Sequence, residues 1–433
     1  MNTSSVRNNE FISMREPIIT EEDYHFFSII NEKGLEEEAK VLWLDIHQEI
    51  RQLVRPVEND EKSHYRNYTL PARLDALRSH QEWLKKNWNK YSNYFADPQD
   101  INPKAIRPKL ELVQKQFHRD LFRIARLSWS LPYSRGYGRR LNYLIWDDYN
   151  NKIIGILGLQ SPPLSLPARD KRYYIPLDKE HRAILINLTM DAYCVGALPP
   201  YSHLLGGKLA VLAAASKEVR EDYQHRYRER RTIMRDRVLS ADLVAITTLS
   251  AFGHSSIYNR VSKGTYNISD GKNGKRNLWA AISLGSCQGW GTLHFSNSLY
   301  TKMKRFHQQL YPEKPVVNFG TGSKIRFLVT NRILKVLGFE KKLLKHNIQR
   351  EVYVIPHVEN LEEILNGSGA EPIYNDQPFN ELAAYWKDRY CLKRWESLNF
   401  EENQNSMTGR DSLFQSINLI EELDSVVIEK YSH

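Results

Sequence analysis

The sequence has 433 residues, of which 41% are hydrophobic and 11% aromatic. This composition can fill a sizeable core, allows two or three domains and excludes a largely disordered chain. No apolar run approaches the roughly 20 residues of a membrane helix, and the N-terminus lacks the apolar core of a signal peptide, so we expect a cytoplasmic protein with no membrane partner.

The charge is unevenly distributed along the chain. Residues 1–62 carry 7 Lys/Arg against 14 Asp/Glu, and residues 401–433 carry 2 against 7, which leaves a net charge of +22 on the residues between. A basic region of this size attracts polyanions, of which nucleic acid is the commonest. The alternative is a solvated basic surface covered by the acidic ends.

The first section of the chain is predicted to be helical. In residues 34–56 the apolar side chains recur at steps of three and four until Pro56. Two further stretches, residues 72–95 and 108–130, show similar patterns. Together they predict a helical N-terminal region, with an acidic start, over residues 1–130.

Strand patterns follow, in a predicted α/β core domain over residues 131–300. A hairpin is predicted where LNYLIWD and KIIGILGLQ flank a DYNN turn, and a loop is predicted for the Pro-rich SPPLSLPARDKRYY. RAILINLTMDAYCVGAL predicts a strand pair or one long strand, LLGGKLAVLAAASKEVREDYQHRYRERR a helix, and DLVAITTLS a buried strand. Alternating strands and helices favour a mixed, partly parallel sheet.

A C-terminal α/β extension is predicted over residues 301–398, followed by an acidic tail over residues 399–433. The extension is expected to hold a helix in NSLYTKMKRFHQQLY, a strand in REVYVIP and a basic, aromatic helix in AYWKDRYCLKRWESL. In the tail, LFQSINLIEELDSVV is compatible with a further helix.

Several loops combine glycine with a basic or aromatic side chain. Gly206, Gly207 and Lys208 are expected at a helix start after a strand, where free backbone N–H groups bind phosphate, although a glycine pair also permits close packing of helix on sheet. Later loops repeat the combination and are candidate contacts for a nucleic acid or ligand: Gly289, Trp290, Gly291, Lys324 and Arg326.

The stretch TTLSAFGHSSIYNR gathers polar side chains directly after the predicted buried strand. A Ser–His nucleophile would need an orienting acid, and the GxSxG elbow is absent, so a turn and capping role for Ser255 and Ser256 competes with a site. The candidates are His254 and Tyr258 as catalytic groups and Ser255, Asn259 and Arg260 as ligand contacts.

The remaining chemistry is sparse. Cys194, Cys287 and Cys391 are far apart and fit neither a disulfide framework nor a CxxC zinc site, which favours inert buried thiols over a catalytic one. No metal site is predicted, because the acidic residues show no DxD or ExxH arrangement.

The order of motifs resembles the DruA proteins of the Druantia anti-phage defence system. The resemblance rests on IIGILGL followed by ARD, LPPYSHLLGGKLAVLAAASKEV, TTLSAFGHSSIYNR, GWGTLHFS, and RFLVTNRILKVLGF with HNIQREVYVIP, over roughly residues 105–395. It implies a role in bacterial antiviral defence, within a multi-protein system that includes a large helicase-like subunit. It implies no reaction.

A second similarity concerns the order of elements: the hairpin at IIGILGL, a strand, a glycine-containing helix start, the strand TTLS and then SSIYNRV. This order is similar to the GNAT acyltransferase fold. That similarity implies acyl-CoA bound at Gly206, Gly207 and Lys208, and Tyr258 as the group that protonates the departing thiolate. The chain departs from the family pattern, because a glycine pair replaces GxG or GxA and no Arg or Gln stands at the expected offset. The fold can therefore be present without its cofactor.

Two functions follow from these observations. The first is a defence component that contacts nucleic acid, DNA or RNA, or a helicase-like partner through the basic middle of the chain. The alternative is a GNAT-like acyltransferase that modifies a nucleic acid or a protein. A recombinase is disfavoured, because no pattern of three metal-binding carboxylates stands out.

Overall fold

The computed structural model describes residues 30–53, 61–129, 138–232, 236–251, 253–267, 275–288, 295–313, 323–339, 349–403 and 407–410. The described residues fall into two compact units. One unit contains residues 30–53, 295–313 and 323–339, and the other contains the rest. Among the described residues, no helix is both long and apolar enough to cross a membrane.

The smaller unit is helical in its described part. It contains α1 (Glu36–Leu53), and two later helices of this unit are Asn297–Leu310 and Ser323–Val336. The predicted amphipathic pattern of the first helix is confirmed, since Leu42, Ile46 and Ile50 are all buried on one face. Lys302 Nζ donates to Asp45 Oδ2 over 2.6 Å and links two of these helices.

The larger unit begins with helices and then builds a sheet. Up to the first hairpin its elements are α2 (Glu61–Arg78), α3 (Gln81–Tyr91), β1 (Pro108–Leu112), α4 (Gln116–Leu127), β2 (Arg140–Asp147) and β3 (Lys152–Gln160). The β2–β3 hairpin is confirmed. The helix predicted over residues 108–130 is wrong in its first part, because residues 108–112 pair with β2 and only the later residues are helical.

The centre of the larger unit alternates helix and strand. Its elements are α5 (Pro167–Arg172), α6 (Lys179–Asn187), β4 (Thr189–Ala197), α7 (Gly206–Ala214), α8 (Lys217–Tyr227), β5 (Ala245–Leu249), β6 (Ser262–Asn267), β7 (Lys275–Trp279) and β8 (Ile282–Gln288). In the smaller unit, α9 is Asn297–Leu310 and α10 is Ser323–Val336. The chain then returns to the larger unit with β9 (Gln349–Pro356), α11 (Leu361–Leu365), α12 (Phe379–Trp386), α13 (Leu392–Ser397) and α14 (Phe400–Asn403).

Three expectations for this centre need correction. The strand predicted from residue 182 begins only at Thr189, because Asp178 caps a helix by accepting the N–H groups of Glu180 and His181. The predicted Pro-rich loop contains α5, whose first residue is Pro167, a favourable place for proline. The long helix predicted from residue 204 is two helices, α7 and α8.

The described strands form a seven-stranded mixed sheet in the order β1-β2-β3-β4-β5-β9-β8 and a separate β6-β7 ribbon. Of the pairs in the large sheet, β4 and β5 are parallel, and α7 and α8 lie between them in the chain. The α/β class with a mixed sheet is confirmed. The core contains α7, whose residues are all buried except Lys208, because its small and aliphatic side chains pack against β3 and β4.

Candidate functional site

The helix start and the polar stretch that the sequence singles out are neighbours in the fold. The strand β4 precedes α7, the parallel strand β5 precedes the stretch from His254 to Arg260, and the two segments touch. A parallel pair places the carboxyl ends of both strands at the same edge of the sheet. This is the edge at which α/β proteins commonly bind ligands.

Both glycines at the start of α7 are buried and in close contact with their surroundings. A Cβ on Gly206 would lie 2.7 Å from the Ala197 Cβ and 2.8 Å from the carbonyl oxygen of Tyr201. A Cβ on Gly207 would lie 2.6 Å from the Cγ2 of Ile257. Close packing of the helix therefore accounts for the glycine pair.

Lys208 joins this helix to the polar stretch. Its Nζ donates to the carbonyl oxygens of Ser256 over 3.1 Å and of Asn259 over 2.7 Å, and it lies 5.3 Å from the ring centre of Tyr390. Partial burial lowers the pKa of the lysine. The ammonium group thus sits behind the turn as a fixed positive charge.

Tyr258 lies inside the sheet and helix core. Its hydroxyl is 3.3 Å from Thr248 Oγ1, and its ring centre is 4.9 Å from that of Tyr353. Burial raises the pKa of the phenol to about 12. The structure therefore places this candidate acid beneath the surface. Ile257 before it also packs against the core, whereas Asn259 and Arg260 after it are exposed.

The other polar residues of the stretch form a tight turn. The carbonyl oxygen of Ser255 accepts the N–H groups of Tyr258 and Asn259, as the turn interpretation predicts. Asn259 and Arg260 are exposed, and Arg260 has a left-handed backbone with φ of 55°. The Tyr390 hydroxyl donates to the Arg260 carbonyl oxygen over 3.2 Å and accepts the Ser262 N–H over 2.9 Å, which fixes the end of the turn.

Cations and aromatic rings converge on Tyr390. The guanidinium carbon of Arg389 lies 5.8 Å from the Tyr390 ring centre and 6.0 Å from that of Tyr385, and Arg389 is exposed. With Lys208 and Arg260 these residues form one patch, which we call the Tyr390 surface: Lys208, Arg260, Tyr385, Arg389 and Tyr390. The helix α13 continues it with exposed Lys393 and Arg394, next to exposed Asp388 and Glu396.

His254 has a partner that is distant in the sequence. Its Nδ1 contacts Oε2 of Glu351 on β9, and the side-chain exposure is 80% for the histidine and 8% for the glutamate. Glu351 also accepts hydrogen bonds from the hydroxyls of Ser283 and Tyr353. A buried, fixed carboxylate thus orients an exposed imidazole, and this supplies the orienting acid that the sequence does not show.

A second buried carboxylate lies on β4. Asp191 accepts hydrogen bonds from Gln160 Nε2 over 3.2 Å and from Thr247 Oγ1 over 3.3 Å. Burial raises its pKa to about 6, against the opposing effects of those two donors and of the charges of Arg350 and Arg169. This carboxyl is therefore mostly protonated below about pH 6 and mostly ionised above it.

The remaining candidates lie elsewhere. Arg326 belongs to the smaller unit, where it donates to Asn297 Oδ1 over 2.7 Å and to the Phe295 carbonyl oxygen, and lies 4.5 Å from the Tyr300 ring centre. Lys324 is part of α10. Gly289, Trp290 and Gly291, and the possible tail helix at residues 413–427, lie outside the described residues.

The cysteines and acidic groups offer no metal chemistry in the described part of the chain. Cys194 and Cys391 are buried, and burial raises the pKa of both thiols to about 12, while Cys287 is partly buried. Across the described ranges, no three His, Cys, Asp or Glu side chains are grouped so that they could hold a metal ion.

Sequence reasoning missed Glu351 and Tyr390 as parts of these sites. Glu351 follows Arg350 at a strand entry, where a simple ion pair is the more frequent arrangement. Tyr390 lies in a segment that the sequence marks as basic and aromatic, which was the available signal. Glu351 comes beside the turn through the sheet order that brings β9 next to β5, and Tyr390 through the packing of α12 on α7, and neither can be read from local sequence.

The fold and the site define an α/β protein with a basic, aromatic patch beside an oriented histidine. The family model described as Druantia protein DruA matches residues 59–367. A curated relative, the Druantia protein DruA of Escherichia coli (strain UMEA 4076-1), is 36% identical over 303 residues, which cover 69% of this chain and 71% of the relative. No solved structure matches the chain.

The chain therefore belongs to the DruA family, as its motifs indicated. It is a component of a Druantia system, a multi-protein anti-phage defence system. Both His254 and Glu351 lie within the matched residues, whereas Tyr385, Arg389 and Tyr390 follow them in the chain.

Proposed function

We propose that this chain is a nucleic-acid-contacting component of its defence system and that the Tyr390 surface makes the contact. The observation that supports this proposal is the position of Lys208 and Arg389 over the Tyr390 ring, with Arg389 also over the Tyr385 ring. The exposed Arg260 joins them through its backbone, because its carbonyl oxygen accepts the Tyr390 hydroxyl. Phosphates attract the cations, and the half-buried rings of Tyr385 and Tyr390 can stack on bases through their exposed parts.

The anchoring of the surface favours binding. Tyr390 is held by two hydrogen bonds to the backbone at Arg260 and Ser262, so its ring and the adjacent cations do not have to be ordered when a strand binds. Fixing a side chain in advance saves roughly 0.5–1.5 kcal/mol of ordering cost for each side chain. The net charge of +22 on residues 63–400 draws a polyanion toward the protein at longer range.

Charge-removing variants test this proposal. In the double variant Arg260→Asn with Arg389→Gln, asparagine is chosen because it tolerates the left-handed backbone at residue 260. Filter binding of duplex DNA, single-stranded DNA and RNA over a salt series should show weaker binding of every bound sequence. The slope of log affinity against log salt should fall by about 1–2, since each lost phosphate contact reduces it by about 0.7–0.9.

A matched control removes two exposed cations from a different surface. The double variant Lys171→Gln with Lys179→Gln loses the same charge from α5 and α6. It should keep most of the affinity. If both double variants lose the same affinity, the loss reflects the net charge of the protein rather than the Tyr390 surface. If no nucleic acid is bound at low salt, the proposal is rejected.

The second part of this proposal is contact with a protein partner. The resemblance to DruA proteins implies a large helicase-like subunit in the same system. We expect a pull-down with the neighbouring gene products, with and without phage DNA, to retain that subunit. If nucleic-acid binding fails while the subunit is retained, the basic middle of the chain serves protein contact instead.

An acyltransferase is the second candidate, because the parallel pair β4 and β5 flanks a glycine-containing helix start, as in the GNAT layout. The burial of Gly206, Gly207 and the Tyr258 hydroxyl weighs against acyl-CoA at that place. Acetyl-CoA at millimolar concentration should raise the melting temperature if this candidate holds, and Tyr258→Phe should lower turnover while leaving the fold intact. No thermal shift would exclude it.

A further inference from the structure

The arrangement of His254 and Glu351 leaves one imidazole nitrogen available for chemistry. Nδ1 faces the buried carboxylate, so the proton of the neutral ring resides on Nδ1 and the lone pair on Nε2. Within the described part of the chain, Nε2 has no hydrogen-bond partner, and the side chain is 80% exposed. The ring is therefore oriented as a base that faces solvent.

The carboxylate is fixed from several directions. Tyr353 donates its hydroxyl to Glu351 Oε2 over 2.5 Å, and Ser283 donates to Oε1. The backbone of Glu351 is fixed as well, since its N–H donates to Ser250 Oγ over 2.8 Å and its carbonyl oxygen accepts the Ser250 N–H over 2.8 Å. A side chain held in this way positions the histidine and stabilises the imidazolium that forms when Nε2 takes a proton.

The surroundings favour an anionic substrate. Lys208 donates to the carbonyl oxygen of Ser256, two residues after His254, and the same ammonium group lies over the Tyr390 ring. Arg260 ends the same turn. A nucleic acid on the Tyr390 surface thus runs beside the turn that carries the imidazole, and the exposed guanidinium of Arg260 can stabilise negative charge that develops on a phosphate.

A single base suits a substrate that carries its own nucleophile. In RNA the 2′-hydroxyl is held next to the adjacent phosphorus, so removal of one proton starts the reaction, with the advantage of an intramolecular attack. We propose that His254 is the general base and Glu351 its positioning residue in an RNA-cleaving site beside the Tyr390 surface. This inference rests on the nucleic-acid contact proposed above.

The step balances without an added oxidant or reductant. The proton of the 2′-hydroxyl moves to Nε2, and the 2′-oxygen forms a bond to phosphorus. The bond between phosphorus and the 5′-oxygen of the next nucleotide breaks, and that oxygen takes a proton from water. The products are a 2′,3′-cyclic phosphate end and a 5′-hydroxyl end, and His254 returns its proton to solvent.

The test uses the full-length protein and end-labelled RNA oligonucleotides in the presence of EDTA. We expect cleavage that yields 2′,3′-cyclic phosphate, and resistance of an oligonucleotide with 2′-deoxyribose at the cleaved position. His254→Gln should cleave at least about 100-fold more slowly. Glu351→Gln should lower kcat by about 10–100-fold with little change in KM, which a merely structural role would not produce. The control His225→Gln, an exposed histidine on α8, should cleave at the wild-type rate.

Filter binding of the same RNA separates this inference from the proposed function. RNA that is bound but not cleaved overturns the general-base site and leaves the nucleic-acid contact in place. Cleavage by His254→Gln at the wild-type rate also overturns it, because the activity then belongs to another site or a contaminating nuclease. RNA that is not bound overturns the site together with the proposed contact to RNA.

Discussion

The helix start at Gly206 to Lys208 and the turn from His254 to Arg260 contact each other, yet they are built for different purposes. In the first, both glycines are buried and the lysine is tied to two carbonyl oxygens. In the second, the imidazole and guanidinium groups face outward from a turn fixed by hydrogen bonds. A short stretch of glycines and cations can therefore mark either a closely packed backbone or a ligand site. Only the tertiary packing shows which of the two segments presents its side chains to a ligand.

The largest expected effect on stability concerns Asp191, the buried carboxyl on β4, whereas the other buried carboxylate, Glu351, contacts the exposed His254. Because burial raises the pKa of Asp191 to about 6, the folded chain holds this proton more tightly than the unfolded chain. The free energy of unfolding should therefore fall as pH rises from about 4 to about 6, by up to about 3 kcal/mol, and stay level above that window. Asp191→Asn should remove this dependence.

Urea unfolding of the wild type and Asp191→Asn at pH 4, 5, 6 and 7 measures the difference. The gap between the two proteins should open toward pH 6. The variant Asp388→Asn, which changes an exposed carboxylate, serves as the control and should follow the wild type. Parallel curves for Asp191→Asn and the wild type would contradict the expectation.

Gly206→Ala should give the second-largest loss of stability. The new Cβ would meet the Ala197 Cβ and the Tyr201 carbonyl oxygen, and neither atom can move unless its backbone moves. We expect a loss of about 2–3 kcal/mol in the free energy of unfolding, as for an overpacked core. Gly207→Ala should cost less, since it meets only the side chain of Ile257. Adding Ile257→Ala should relieve part of that strain, and a double-mutant cycle measures the relief. Additive losses would contradict the packing explanation.

Lys208→Met tests the bond between the two segments. The variant keeps the aliphatic stem but loses both hydrogen bonds to the turn, at a cost of about 1 kcal/mol, because the group is only partly buried. Hydrogen exchange at the amides of residues 256–260 should quicken. Unchanged protection of these amides, with unchanged stability, would show that the lysine does not hold the turn.

His254→Ala is expected to have the smallest effect on stability. The side chain is 80% exposed, so its loss should change the free energy of unfolding by less than about 0.5 kcal/mol. Thermal or urea unfolding checks this value. A loss above about 1 kcal/mol would show that the histidine supports the fold, and would weaken its assignment as a group that acts on a bound molecule.

The elements that could be predicted share strong local patterns. The helix from Glu36 and the β2–β3 hairpin were predictable, because three- and four-residue steps and a turn between apolar runs depend only on neighbouring residues. Residues 108–112 and 182–187 were assigned wrongly. The first pair with β2, and the second continue a helix that begins at an Asp178 cap, so tertiary pairing and capping outweighed the local apolar pattern.

By itself the sequence determined the family, the α/β class and the basic middle of the chain, since these depend on motif order, periodicity and residue counts. It also marked the stretch from His254 to Arg260 as unusual. Only the tertiary structure decided that Tyr258 lies inside, that Glu351 orients His254, and that Tyr390 joins Arg260 to Lys208. These contacts join residues 97–182 positions apart in the chain, and the physical reason is that sheet order and helix packing, rather than local propensity, bring them together.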